Sequence, residues 1–348
     1  MMRKNTFTRA GLIVALALST QTVQAQDVHF TQFDATPMIV NPAFTGAFNG
    51  SWRASGIYRN QWRSVTVPFV TYAASFDAPI LQDLTVDDYL AAGVQLYNDR
   101  AGDGNLSNFS GLVSVAYHKF LGEKVDKSLT VGLQGGYTQK RIDLSKLYFG
   151  DEFSNGGFNP GSSLEYPNLN NKVNYFTVNA GIAWSHSVGE RFGYTLGLGA
   201  MNLNQPQESF QKKKNSEVGL GIRYAGQLGA IAYLSEKFSL RPGILYQTQS
   251  TANELVAGNE FNLVVGNPEF RTVSTAVFLG GWIRTGDAFM ITGGVEWKGL
   301  RFGLAYDYNT STLKDASNGN GGFEISLRYI APNALDFARR LVYPCARF

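Results

Sequence analysis

Cysteine and histidine are both scarce in this chain of 348 residues, which contains one cysteine and three histidines. The single cysteine, Cys345, cannot build an internal disulfide framework or a cysteine zinc site, and it lies far from any lipidation motif after a leader. The histidines, His29, His118 and His186, are scattered without metal-ligand spacing. We therefore expect no metal ion and no cofactor.

The chain also lacks an apolar run of the roughly 20 residues that a transmembrane helix needs. The apolar stretch at residues 10–18 follows three basic residues and is too short to serve as a retained membrane anchor. Small residues at positions 23–25 complete the pattern of a secretory signal peptide. The sequence therefore predicts a signal peptide at residues 1–25 and a mature chain that begins at Gln26.

Charge is sparse as well, since only 16% of residues are charged and the formal net charge is +3. The predicted leader contains three basic residues and no acidic one, so its removal lowers the net charge from +3 to 0. The basic run at residues 212–214 lies in a polar stretch that is typical of a solvated loop. We therefore expect no nucleic-acid partner.

What the chain does contain is alternation of apolar and polar residues in about fourteen segments, with 38 glycines and 13% aromatic residues. In one segment, Leu129, Val131 and Leu133 share a face opposite Thr130 and Gln134. A strand with lipid on one side and a wet lumen on the other must alternate in this way. We therefore predict an all-β fold, a transmembrane antiparallel β-barrel of about 14 strands with an N-terminal extended or plug segment. The predicted strands lie near residues 50–61, 67–79, 89–99, 106–120, 127–141, 172–187, 191–203, 218–234, 237–250, 253–265, 272–285, 287–298, 299–311 and 321–331.

A soluble β-sandwich would also alternate, because one face of each of its sheets contacts water. The even strand number and the aromatic residues on the presumed outer faces favour the barrel in the outer membrane, in contact with lipid. The domain prediction places the barrel at residues 50–331. A periplasmic or plug segment is expected at residues 26–49, a periplasmic tail at 332–348, and a long external loop at about 143–171.

Charged residues at inward positions of the first and last predicted strands form a candidate binding seam. Three neighbouring strands each contribute two of these residues: the first strand, the last strand, and the strand before the last. In that order they are Arg53 and Arg59, Glu324 and Arg328, and Arg301 and Asp307. Two hypotheses remain open: the seam is a structural ladder of the lumen, or it orients the N-terminal segment or a client peptide.

No catalytic constellation emerges from the sequence. Ser114 precedes His118 and Ser185 precedes His186, but each of these residues is expected in the lumen or in an aromatic girdle, not in a nucleophile–base pair. The polar turn at residues 103–105 lacks the ligand spacing of a calcium loop. We therefore expect a non-enzymatic protein with no catalytic residues.

The start of the mature chain carries the most specific motif, QDVHFTQFDATPMIVNPAFTGAFNGSWRASGIYRNQW. It resembles the opening of the PorP/SprF family of Bacteroidetes outer-membrane proteins, which share Asn-Pro-Ala-Phe-x-Gly and Tyr-Arg-x-Gln-Trp. Weaker matches follow at residues 98–102, 116–118, 144–147, 202–206 and 345–348. One departure is Ala346, which stands where the family ending has proline.

This resemblance implies a component of the type IX secretion system and the linked gliding machinery. It implies support for export and surface anchoring of a large adhesin, whose C-terminal sorting domain would be a partner, together with other secretion components on the periplasmic side. The signature residues Asn41, Pro42, Phe44 and Trp62 become candidate binding residues with the seam.

An alternative from another functional class remains open. The FadL group of hydrophobic-solute transporters also has fourteen strands and an N-terminal plug that carries Asn-Pro-Ala, here Asn41-Pro42-Ala43. A transporter of this kind requires an apolar pocket in the lumen, whereas a secretion partner requires a surface or cavity for a polypeptide.

Overall fold

A computed structural model describes residues 29–332, except 66, 83–87, 123–125, 155, 213–218, 266–274 and 313. The predicted signal peptide lies outside the described residues, and so does the predicted tail from residue 333 onward, with Cys345. Within the described residues the chain folds as strands around a lumen, with an N-terminal segment inside it.

Fourteen strands close into one antiparallel barrel, as predicted. The barrel strands are β1 (Arg53–Gln61), β2 (Phe69–Gln82), β3 (Tyr89–Ala101), β4 (Leu106–Leu121), β5 (Lys127–Arg141), β8 (Lys172–Val188), β9 (Phe192–Met201), β10 (Arg223–Tyr233), β11 (Phe238–Gln249), β12 (Ala252–Val265), β13 (Thr275–Arg284), β14 (Ala288–Trp297), β15 (Leu300–Asn309) and β16 (Asn320–Ile330). A separate two-stranded hairpin, β6 (Phe153–Ser154) with β7 (Gly157–Phe158), lies in the long loop predicted at about 143–171.

The largest boundary difference concerns β10, which was predicted from about residue 218 and begins at Arg223. The apolar residues ahead of Arg223 include Leu220, which lines the cavity described below.

The barrel closes between β1 and β16, where Arg53 is opposite Ile330 and Arg59 is opposite Glu324. Because the number of strands is even, β1 begins and β16 ends at the same end of the barrel, which we call the lower end. The two longest connections, residues 142–171 and 202–222, lie at the opposite, upper end.

The outer surface of the barrel is apolar, and its inner surface is polar. In β5, Val131 and Leu133 are 49% and 61% exposed, whereas Thr130 and Gln134 are buried. Aromatic side chains cluster on the outside near both ends of the barrel. Tyr58 contacts Tyr72 toward the upper end, and Trp52 contacts both Phe76 and Tyr329 at the lower end. These bands match the girdles that flank the lipid-facing zone of membrane barrels.

The helices of the described residues are single turns. They are Phe33–Ala35, Pro37–Val40, Pro42–Phe44, Leu144–Lys146, Gly150–Glu152, Tyr166–Asn168 and Lys314–Ser317. In this part of the chain no helix has the length and apolar character that a membrane crossing demands.

Residues 29–49, which we call the plug, lie inside the barrel, and nearly all of them are buried. Phe33 and Val40 pack against Met201, Leu245 and Trp282 of the barrel wall. Phe33 meets the Trp282 ring edge-on, with 5.5 Å between ring centroids. The molecule therefore has its apolar core in the lumen, between plug and wall, while the apolar outer surface faces lipid.

Candidate functional site: the plug, its seam and the cavity above it

The seam residues Arg59, Asp307 and Glu324 lie together in the structure and hold the plug. Arg59 forms buried ion pairs with both carboxylates, and its Nη2 lies 2.8 Å from Asp307 Oδ2. The two oxygens of Glu324 accept hydrogen bonds from the backbone N–H groups of Thr31 (2.7 Å) and Gln32 (2.9 Å). A carboxylate that accepts two backbone N–H bonds fixes the direction of the chain it binds.

Arg301 and Arg328 form a second part of the seam, around Asp34 of the plug. Arg328 Nη1 donates to the Asp34 carbonyl oxygen at 3.0 Å and lies 3.5 Å from its carboxylate. Arg301 Nε lies 3.7 Å from the same carboxylate, and its guanidinium stacks 3.6 Å from the centroid of the Phe278 ring. These contacts hold the first helical turn of the plug against the wall.

Arg53 lies diagonally across from Arg328 on the neighbouring last strand, but its ion pair is formed elsewhere. It forms a two-point ion pair with Asp77 of β2, with Nη2–Oδ2 at 2.6 Å and Nε–Oδ1 at 2.9 Å. Arg53 also donates to the Phe44 carbonyl oxygen, and Asp77 accepts from Gly46 N–H at 2.7 Å. The antiparallel register places Asp77 directly opposite Arg53, at the lower end where the plug leaves the lumen.

The signature residues Asn41 and Pro42 lie in a cradle of glycines on the opposite wall. Asn41 is fully buried, and its amide donates to Gln227 Oε1 and to the Ile182 carbonyl oxygen. A Cβ atom at Gly181 would lie 1.9 Å from Asn41 Oδ1, and one at Gly132 would lie 2.4 Å from the Ala43 nitrogen. A glycine in a strand permits close approach of another backbone, and here the plug backbone takes that space.

Trp62, the last signature residue, lies at the upper end of β1. Its backbone has φ of +57°, in the left-handed region that bulky residues rarely adopt. Its ring meets Phe69 edge-on, with 5.0 Å between centroids, and its indole N–H is buried without a hydrogen-bond partner. The structure therefore places Trp62 apart from the seam and the cradle.

A cavity of about 650 Å³ lies between the plug and the upper end of the barrel. We call it the vestibule. His29 and Ile39 of the plug line it from below, and the inward residues around it come mainly from β1–β5 and β8–β11. They include Gln61, Trp62, Gln95, Asn108, Gln134 and Asn179.

The vestibule and the residues that bind the seam residues were not identified from the sequence. Asp77 was recognisable as the single charged residue at an inward position of β2. The amides Gln95 and Gln227 also follow the inward period of their strands. The alternation of apolar and polar residues along a strand shows that such residues face the lumen. It does not show at which depth the plug covers them.

The serine and histidine pairs weighed as catalytic candidates have other partners. Ser114 Oγ accepts from Gln134, and Ser185 hydrogen-bonds Thr195. His118 stacks on Tyr89 and bonds Thr45 of the plug. Among residues 29–332, the described side chains form no cluster of three or more His, Cys, Asp or Glu suited to a metal ion.

His29 marks the upper edge of the plug, 3.9 Å from Glu254. Burial lowers the pKa of His29 to about 4, although Glu254 opposes this shift, so the imidazole is neutral at pH 7. In the unfolded chain its pKa is 6.5, and protonation therefore favours unfolding. This contribution to stability is complete above pH 6.5 and is lost as the pH falls toward 4.

We expect acidification from pH 7.5 to 4.5 to weaken the plug, with a contribution from His29 of at most about 3 kcal/mol. Thermal unfolding is measured at both pH values for the wild type and for the His29→Gln variant. The two proteins differ only at residue 29, so the difference between their pH dependences is the contribution of His29. Equal pH dependence in the two proteins would contradict it.

A protein-family model described as type IX secretion system membrane protein PorP/SprF matches residues 22–329 of this chain. No curated protein matches the chain. One solved structure with a similar fold is the CymD monoaromatic hydrocarbon channel, which is 10% identical in sequence. The match covers 86% of this chain and 93% of the CymD chain, with a TM-score of 0.49. The toluene transporter TbuX of Ralstonia pickettii has 11% identity, coverages of 84% and 93% and a TM-score of 0.46. These values are too low to support an inference about function.

Proposed function

Because the chain belongs to the PorP/SprF family of type IX secretion system membrane proteins, we propose that it supports export and surface anchoring of a large adhesin. In this proposal the protein lies in the outer membrane and binds the adhesin's C-terminal sorting domain without performing catalysis. The observation that carries the proposal is the plug, which occupies the lower part of the lumen and is attached to the wall at several levels.

The plug favours a docking role over a conduit for a folded adhesin. Hydrogen bonds from the plug backbone to Glu324 near one end, and to Arg53 and Asp77 near the other, attach the plug to the wall. The glycine cradle surrounds Asn41 between them. Displacement of the plug would break these hydrogen bonds and the Asp34 ion pairs, and each buried group left unsatisfied costs about 1–3 kcal/mol. A bound adhesin domain therefore has the upper end and the vestibule available to it.

The same geometry supports an outer-membrane location and suggests the orientation of the barrel. Membrane barrels of this kind have short periplasmic turns and longer external loops. The connections at 142–171 and 202–222 therefore belong on the cell surface, where an anchored adhesin lies. Other type IX components would meet the lower end, where β1 begins and β16 ends.

Transport of hydrophobic solutes, the alternative, would need an apolar pocket. The vestibule has a mixed lining: polar side chains such as Gln95, Thr138, Asn179 and Glu208 are the more numerous, but apolar atoms form the larger part of its surface. The polar groups offer hydrogen bonds that a hydrocarbon cannot make, and their desolvation would cost free energy. A polypeptide, which carries polar backbone groups and apolar side chains together, matches this mixed surface, and this supports the secretion partner.

Surface proteomics of a strain that lacks this protein tests the proposal. We expect selective loss of one or a few large proteins with type IX sorting domains, restored by the wild-type chain. Co-purification of the same proteins with the tagged barrel separates direct binding from an indirect effect. Complementation with the Arg63→Leu variant, an exposed position, serves as control for expression of a substituted chain. An unchanged surface proteome would oppose the proposal and favour solute transport.

A further inference from the structure

We propose that the vestibule is a binding site for the end of an uncharged, extended polypeptide segment. This inference rests on the proposed function, because the segment would belong to the secreted client. The vestibule would hold it through paired hydrogen bonds from side-chain amides.

The first support comes from buried polar atoms around the vestibule that have no hydrogen-bond partner among the described residues. Gln95 is completely buried, yet both its Nε2 and its Oε1 lack a partner. Trp62 Nε1, Asn108 Oδ1 and His29 Nε2 also lack one, and all four residues line this cavity. An unsatisfied buried group costs about 1–3 kcal/mol, so these four side chains favour a ligand that supplies hydrogen-bond partners.

The chemistry of these groups matches the peptide unit. Each peptide group carries one N–H donor and one C=O acceptor, and a primary amide offers both complements. Gln61, Gln95, Asn108, Gln134 and Asn179 place several such amides around one cavity. Gln134 and Asn179 bond each other, so Gln95 and the Asn108 oxygen are the amide groups that a hydrocarbon would leave unsatisfied. An extended chain has no internal hydrogen bonds and needs such partners.

The charged groups of the vestibule are already paired, which favours an uncharged segment. Arg59 is bound by two carboxylates, Lys140 pairs with Glu208, and Asp99 accepts from Thr71 at 2.6 Å. Arg223 donates to the Ile39 carbonyl oxygen at 2.9 Å. A phosphate or another strongly anionic ligand would therefore find no unpaired cation among these residues.

Apolar groups complete the site and argue for a peptide over a glycan. Phe69, Leu106 and Leu112 line the same cavity, where they can receive apolar side chains between the amides. Trp62 lies at this corner in its left-handed backbone conformation, which costs of order 1–3 kcal/mol and is typical of functional sites.

The plug closes the vestibule from below, since His29 and Ile39 form part of its lining. A chain cannot thread through a cavity closed on one side, so the segment enters as a chain end. A volume of about 650 Å³ lies within the ~300–1,000 Å³ of enclosed ligand sites. The site therefore suits a few residues at a terminus, and the rest of the client domain stays outside.

The test uses a photocrosslinking amino acid, p-benzoylphenylalanine, placed in the full-length protein in living cells. Positions 95 and 108 probe the vestibule, and Leu96 and Phe109, their lipid-facing neighbours, are matched controls at 51% and 43% exposure. We expect crosslinks from 95 and 108, and none from 96 and 109, to the terminal peptide of a protein with a type IX sorting domain. Mass spectrometry identifies the crosslinked peptide.

A second variant keeps the proposal testable if the bulky probe disturbs the wall. The double variant Gln95→Leu/Asn108→Leu should retain about tenfold less client in quantitative co-purification, as expected for loss of two neutral hydrogen bonds. Its thermal unfolding should be unchanged or raised, since two unsatisfied groups are removed. A purely structural role would leave client retention unchanged.

The outcomes separate this inference from the proposed function. In one outcome, the client co-purifies with the protein while positions 95 and 108 give no crosslinks and the double variant has no effect. That result overturns the vestibule site and leaves the docking function intact. Crosslinks to glycan or lipid only also overturn the peptide site. If no client co-purifies with the wild type, both proposals fail.

Discussion

The Arg59→Leu variant is expected to lose about 3–5 kcal/mol of stability and to release the upper part of the plug. Arg59 is 2% exposed and lies between Asp307 and Glu324, so its removal leaves two carboxylates close together in the lumen. The Glu324 oxygens that orient Thr31 and Gln32 would then be drawn toward water. Loss of one cation therefore affects both the wall and the plug.

Two measurements check this result in a Cys345→Ser background. Thermal unfolding reports stability, and labelling of a Thr36→Cys reporter, at a plug position that is 1% exposed, reports release. The exposed Arg63→Leu variant should change stability by no more than about 0.5 kcal/mol. The double variant Arg59→Leu/Glu324→Gln should recover part of the loss, because it removes the carboxylate left without its arginine, whereas Asp307 keeps Arg284 at 3.5 Å. A single variant as stable as the wild type would contradict the role of the seam.

Alanine at both Gly132 and Gly181 is expected to expel the middle of the plug. The added Cβ atoms would lie 2.4 Å from the Ala43 nitrogen and 1.9 Å from Asn41 Oδ1. Overpacking of this kind typically costs about 1–3 kcal/mol per site, and here one obstacle is plug backbone that cannot rotate away. A barrel of this size without its plug should contain a water-filled lumen.

Ionic conductance in planar bilayers measures this opening, together with labelling of the Thr36→Cys reporter. The matched control is Gly135→Ala on the same strand, whose added Cβ would have its nearest neighbour, the Thr177 oxygen, at 3.8 Å. We expect high conductance from the double variant and low conductance from the control and the wild type. Equal conductance in all three proteins would show that the cradle does not hold the plug.

The strands were predictable because alternation is a local property. Each strand must place apolar side chains toward lipid at every second residue, so segments such as Leu129–Leu133 reveal both their structure and their faces. Proximity of Arg59 to Glu324 was also predictable, since a closed barrel places its first strand beside its last. The binding role of the seam residues stays a prediction.

The partner of Arg53 was not predictable in the same way. Its proximity to Asp77 depends on the register between β1 and β2, which a shift of one residue would change completely. Thr31 and Gln32 were equally inaccessible to sequence reasoning, because irregular plug residues have no period. The vestibule is the space that this plug leaves, so no local pattern encodes it.

The sequence by itself determined the barrel, the number of its strands and which side chains face lipid, because the bilayer imposes these constraints on every strand separately. Only the tertiary structure decided where the plug lies, that Glu324 holds its backbone, and that inward glycines receive Asn41 and Pro42. The physical reason is that these contacts join residues up to 293 positions apart, between Thr31 and Glu324. Their geometry depends on how all strands close around one lumen.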